Sequence, residues 1–183
     1  GLIRRTDNDG ISWLAPDTVL PFIKNYRSVS FSNAFTGIIV GDSGTIIRTT
    51  NGGKSWKQLS SGTILKLRSV SFMQSSSPRF AYAVVDSSAI VHSSDWGLTW
   101  EMQGTRSATP LYSISVVDSL TAYAVGDGGK VLKTENSSTW FETPSGGKGT
   151  NRLHAVQFLT QQVGFIAGDG GVFYKTTNGG NSW

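Results

Sequence analysis

The sequence predicts an all-β fold, a β-propeller of four-stranded antiparallel blades. Three observations carry that prediction. Tryptophans recur at Trp13, Trp56, Trp100, Trp140 and Trp183, spaced by 43, 44, 40 and 43 residues. Each one closes a similar turn-forming octet. Between the octets, the same order of strand-like segments returns four times. Self-similarity at roughly 40–45 residues per repeat is the mark of a propeller blade.

The octets follow the pattern S/T-x-D/N-x-G-x-S/T-W. They run from Thr6 to Trp13, Thr49 to Trp56, Ser93 to Trp100 and Thr176 to Trp183. The remaining one, Thr134 to Trp140, is one residue short and lacks the glycine. Asn8, Asn51, Asp95 and Asn178 are placed to bond the backbone further along and close the turn. Gly10, Gly53, Gly97 and Gly180 supply the positive φ that a side chain resists. Each tryptophan is then expected to anchor the following strand in the core, where its large area dominates burial.

The segments between octets follow in order. Tyr26 to Phe31, Leu67 to Phe72, Leu111 to Val116 and Leu153 to Phe158 alternate with period two, which predicts half-buried first strands. Apolar runs come next at Gly37 to Val40, Ala81 to Val85, Ala122 to Val125 and Gly164 to Ala167. Such short continuous runs suit strands covered on both faces. Turns opening on Asp42, Asp86, Asp127 and Asp169 lead into third strands, and the fourth strand starts at the octet tryptophan. Turn chemistry is the expected role of these aspartates. Complete blades are therefore expected at 26–60, 66–104 and 111–143. Partial blades are expected at 1–16, with third and fourth strands, and at 152–183, with first to third. Either the two partial blades are one, or the chain is an excerpt from a longer ring. Ending on a core anchor favours the excerpt, and Gly1 without a methionine reads as a processed product.

Composition agrees with many short strands joined by tight turns. Of the 183 residues, 38% are hydrophobic and 11% aromatic, but only 15% are charged. The net charge of +4 mildly favours an acidic partner. Basic residues run no longer than the pair Arg4–Arg5, which argues against nucleic acid. The absence of cysteine excludes disulfides, thiolate metal sites and cysteine nucleophiles. No apolar run reaches membrane-spanning length.

The octets, and the stretch VGDSGTIIRTTNGGKSW in particular, resemble the Asp-box, or bacterial neuraminidase repeat, superfamily. The blade pattern is most similar to its photosystem II assembly and stability factor branch. The resemblance covers essentially the whole chain. It implies a propeller whose relatives include sialidases, xyloglucanases, sorting-receptor ectodomains and non-catalytic assembly factors. Fold alone does not choose among these.

Two columns ride on the repeat as candidate binding residues. The third-strand position before each octet is basic throughout: Arg5, Arg48, His92, Lys133 and Lys175. Such a belt would attract an acidic peptide, glycan or lipid surface. Alternatively it is a solvated strand position, and on that view reversing the charge at Arg48 and Lys175 leaves folding unchanged. The first strands carry Arg27, Arg68, Tyr112 and His154, which would ring the central channel. Leu14 to Asn25 and the glycine-rich loop Pro144 to Asn151, with Lys148 inside it and Arg152 beside it, are candidate surfaces outside the repeat. A glycosidase needs two carboxylates across one bond. The glutamates Glu101, Glu135 and Glu142 fall in no isolated motif. A sialidase, by resemblance, would also need an arginine triad and a Tyr–Glu pair, and nothing singles out such a set. No catalytic residue, metal site or cofactor is expected.

The function expected is a non-catalytic extracellular or cell-surface scaffold that binds a protein, peptide or glycan. Its location is then secreted, periplasmic or cell-surface. Self-association follows if the ring is incomplete in one chain. The alternatives are a photosystem-type membrane-protein assembly factor and a fragment of an Asp-box glycoside hydrolase.

Overall fold

A computed structural model describes residues 2–17, 24–73, 79–105, 107–143 and 151–183. Three four-stranded antiparallel sheets and one three-stranded sheet make up the propeller, each in sequential strand order. The first sheet holds β1 (Tyr26–Phe31), β2 (Gly37–Gly41), β3 (Ile46–Thr49) and β4 (Lys57–Leu59). The second holds β5 (Leu67–Phe72), β6 (Ala81–Val85), β7 (Ala89–Ser93) and β8 (Glu101–Gly104). In the third are β9 (Leu111–Val116), β10 (Ala122–Gly126), β11 (Val131–Thr134) and β12 (Trp140–Glu142). The fourth has β13 (Leu153–Phe158), β14 (Gly164–Gly168) and β15 (Phe173–Thr176).

Burial follows strand order because the sheets stack face to face. The second strands β2, β6 and β10 are buried along their whole length. The outer strands β4 and β8 are mostly exposed. Between the first two sheets, Ile38, Val40 and Ile46 pack against Val70, Phe72, Ala83 and Trp100. The next two junctions repeat this arrangement, around Tyr82 with Trp140 and around Tyr123 with Phe158.

The first strands of successive sheets lie side by side. A serine ladder joins them, and sequence reading did not anticipate it. Ser28 and Ser30 accept hydrogen bonds from the backbone N–H groups of Val70 and Phe72, at 3.2 and 3.0 Å. Ser71 accepts from Val116 at 3.0 Å. Ser113 and Ser115 accept from Val156 and Phe158 at 3.2 and 3.0 Å. Backbone donors on a strand edge with no paired strand are thus satisfied by the neighbouring sheet.

The octets close as expected. In the first, second, third and fifth, the opening hydroxyl accepts from the glycine N–H four residues on, at 2.9–3.0 Å. The Asn or Asp accepts from the N–H of the later Ser or Thr at 2.9–3.0 Å. The Trp56 and Trp100 indoles donate to Gly53 and Gly97 at 3.2 Å. In the short octet there is no such glycine, and the Trp140 indole donates to Gln103 Oε1 at 2.9 Å instead.

Residues 1–16, where third and fourth strands are expected, are joined by an antiparallel bridge, Arg5–Leu14, which corresponds to the Arg48–Lys57 pair of β3 and β4. One expectation is corrected: Trp13, expected as a core anchor, is 60% exposed. Trp183 is partly buried and meets Phe158 edge-on at 5.8 Å. Much of the stretch from Leu14 to Asn25, and Pro144 to Thr150 with Lys148, lies outside the described residues.

Candidate functional site

The first strands all enter the propeller from the same end. At that end the turns between second and third strands also project, so the two sets of side chains meet. Asp42 receives Arg27 through Nε at 2.9 Å and Nη2 at 3.1 Å, and Asn25 at 2.9 Å. Asp86 receives Lys66 and Arg68, both at 2.8 Å. Asp127 receives Arg152 at 2.6 Å and the Tyr112 hydroxyl at 3.0 Å. His154 Nε2 lies 2.7 Å from Asp169. The turn-chemistry reading of the aspartates is corrected here. In the Asp42 turn it is the backbone carbonyl that accepts from Thr45, which frees the carboxylate to reach back to the first strand.

The pairs form one continuous row. The Arg68 guanidinium carbon stands 4.8 Å from the Tyr112 ring centroid, and that of Arg152 stands 5.3 Å away. The His154 ring is 5.8 Å from the same centroid. Cations placed over an aromatic face are held by its quadrupole. Charge pairing sets the protonation states. Arg27, then Asn25, hold the Asp42 carboxyl at about 2. Lys66 lowers Asp86, and Arg152 followed by Tyr112 lowers Asp127. The result is a rim of ionised, pre-oriented groups, with Arg27 and His154 exposed to a partner and Arg68 and Tyr112 half-buried.

The backbone brings this row together by close approach. Asp42 and Asp127 donate their N–H groups to the carbonyls of Asn25 and Pro110 at 3.0 Å. A Cβ on Gly41 or Gly126, just before each aspartate, would stand 2.2 or 2.1 Å from that carbonyl oxygen.

The third-strand column sits elsewhere and does different work. Arg48 Nε donates to the Trp96 carbonyl of the next sheet's octet at 2.7 Å. Lys133 is buried, pairs with Glu135 at 2.6 Å, and reaches the Gly179 carbonyl of the following sheet at 3.4 Å. His92 is buried between the rings of Phe80 and Tyr82. Arg5 pairs with Asp7, and Lys175 lies exposed, 5.9 Å from the Phe165 centroid. Arg48, His92 and Lys133 therefore fill the seams between sheets, and the indifference to charge reversal expected at Arg48 is revised. Arg48→Met is expected to cost about 1.5–3 kcal/mol, the scale of a hydrogen bond from a charged donor. Lys175→Met should cost almost nothing. Chemical denaturation of the two variants checks the contrast.

Sequence reading missed Asn25 and Lys66 as rim residues. The signal was present as co-recurrence: Arg27, Tyr112 and His154 each precede an aspartate by 15 residues, and Arg68 by 18.

Residues 8–140 match the family described as photosynthesis system II assembly factor YCF48. The chain belongs to the YCF48 family. No curated protein sequence matches it. Among solved structures, YCF48 from Cyanidioschyzon merolae is similar at 19% identity and a TM-score of 0.77, over 96% of this chain and 63% of that one. A structure of YCF48 bound to D1 peptide is similar at 16% identity and a TM-score of 0.60, over 90% of this chain and 82% of that one. The GH74 xyloglucanase from Xanthomonas campestris shares the fold at 16% identity and a TM-score of 0.72, over all of this chain and 33% of that one. The chain thus spans under two thirds of the first YCF48 structure. Relative to the other rim positions, this YCF48-family chain turns from arginine to Tyr112 and His154 along the row.

Proposed function

We propose that this chain is a non-catalytic protein-binding module of the assembly-factor type, and that it takes up a peptide segment at the rim of paired first-strand and turn residues. The observation that carries the reading is the row itself. Aspartates hold Arg27, Arg68 and Arg152 by their Nε edges. Such buttressing fixes the guanidinium planes before a partner arrives and lowers the ordering cost of binding. Arginine so held suits recognition of carboxylates and backbone carbonyls. The family and the peptide-bound YCF48 structure support a peptide as the occupant. The family supports the non-catalytic part of the reading, and so does the pairing of Asp42, Asp86, Asp127, Glu135 and Glu142 with cations.

Titration calorimetry with a D1 peptide tests this. Binding is expected to weaken with added salt, as exposed charges are screened. The double substitution Arg68→Ala, Arg152→Ala is expected to weaken it about tenfold or more. Wild-type protein that ignores the peptide, or a double variant that binds it unchanged, would remove the rim from the function.

A further inference from the structure

Three seams separate the four sheets, and two of them are closed alike. Arg48 reaches the Trp96 carbonyl across the first seam, and Lys133 reaches the Gly179 carbonyl across the third. Both are permanent cations donating to the same point of the following octet. In the middle seam His92 occupies the equivalent position and does not bond the equivalent carbonyl, that of Ser137. A tyrosine hydroxyl donates to this carbonyl as Tyr123 does to Gly179 in the third seam, but the second donor here is Gln103 and not a lysine. The Ser137 carbonyl accepts from Gln103 Nε2 at 2.8 Å and from the Tyr82 hydroxyl at 3.4 Å. His92 Nε2 is buried and has no hydrogen-bond partner. Its ring lies 5.8 Å from Phe80, nearly parallel, and 4.5 Å from Tyr82.

We propose that the seam between the second and third sheets is a proton-sensitive joint, with His92 as the group that senses the proton. A neutral imidazole suits a slot between two aromatic rings. Adding a proton places a full charge on a ring whose Nε2 is buried with no hydrogen-bond partner, and burying a charge without such a partner is costly. The groups that face the slot are Glu101, the cross-strand partner of His92; Asp95 in the same sheet's octet; the Tyr82 hydroxyl; and Asp118 of the third sheet, which acts on that hydroxyl. Burial is the largest influence on His92 and favours the neutral ring, against the weaker pull of Glu101 and Asp95.

The sign follows from linkage. Above the ordinary histidine value, near 6.5, both folded and unfolded chains carry a neutral ring and the seam is fully stable. As pH falls below that value, the unfolded chain takes up a proton that the folded seam refuses, so stability is lost in acid. The seam also carries the Arg68–Tyr112 contact of the rim, so acid loosens the two sides of that contact together. The inference depends on the packing alone and stands whether or not the rim binds a peptide.

Amide hydrogen exchange at pH 7.5 and 5.5, corrected for the intrinsic rate, is the test. Wild-type protein is expected to lose protection in β6, β7 and β9 on acidification, and to keep it in β2 and β3. Its unfolding midpoint is expected to fall as well. His92→Gln should flatten both changes, and His92→Phe should do so while keeping a ring in the slot. The second histidine, His154, is the control: it pairs with Asp169 in the fourth sheet, away from this seam, so His154→Gln should leave the loss of protection in β6 and β7 intact. An acid response that survives at His92, or that disappears with His154→Gln, would overturn the proposal. Should neither His92 variant fold, the wild-type imidazole signal decides by NMR. Titration depressed below the ordinary range supports the joint, and titration at the ordinary value refutes it.

Discussion

Trp100→Ala is expected to lower the stability of the chain by about 3–5 kcal/mol, the cost of emptying a large aromatic site in a packed core. The ring is 8% exposed and sits in the seam between the first two sheets, with Ile38, Val40 and Phe72. Two losses combine. The apolar contacts of the ring disappear, and the Gly97 carbonyl, which accepts from the indole at 3.2 Å, loses its donor. Trp13→Ala is the matched control. It occupies the same place in its octet but is mostly exposed, so its replacement should shift the denaturation midpoint very little. Equal effects at Trp13 and Trp100 would mean that octet membership, and not burial, governs the tryptophans.

Gly44→Ala is expected to cost about 2–4 kcal/mol, within the range for substitutions that force backbone movement. Gly44 has φ of +66°, and a Cβ placed there would stand 1.9 Å from the Thr63 carbonyl oxygen. That atom belongs to backbone, and Gly44 itself donates to the Leu65 carbonyl at 2.8 Å, so neither side can yield without undoing the turn. Gly128→Ala separates the two contributions. Gly128 has nearly the same φ, +67°, but nothing lies within 4 Å of its added Cβ. Its substitution should show the conformational penalty alone, about 1–2 kcal/mol. Thermal or urea unfolding of both variants reads the difference.

The blades were legible in the sequence because their determinants are local and repeated. A turn of Asn51, Gly53 and Ser55 is written within a few residues, and so is the alternation from Tyr26 to Phe31. The rim was legible as two separate columns, one polar and one acidic, and not as a set of pairs. Pairing depends on where a strand and a turn distant in sequence come together, and of the two columns only Arg27–Asp42 and Arg68–Asp86 have the charges that make the match obvious. Tyr112 and His154 conceal the same geometry behind different chemistry. The third-strand column was harder. A basic residue before each octet reads as surface from one repeat alone. Its role emerges only when the next repeat is laid against it, as Arg48 is against Trp96. Trp13 shows the opposite limit: its octet is intact, but an anchor needs neighbours, and an octet does not encode them.

The serine ladder gives each repeat two unlike sides. One side offers hydroxyl acceptors, as Ser28 and Ser30 do, and the other offers backbone donors, as Val70 and Phe72 do. Such a unit joins its copies head to tail in one orientation only. A gene that duplicates a whole repeat therefore duplicates a working joint, with no new contact to invent. Substitutions can then accumulate unevenly among the copies, leaving Arg48 and Lys133 to close two joints alike and His92 to make the one between them different.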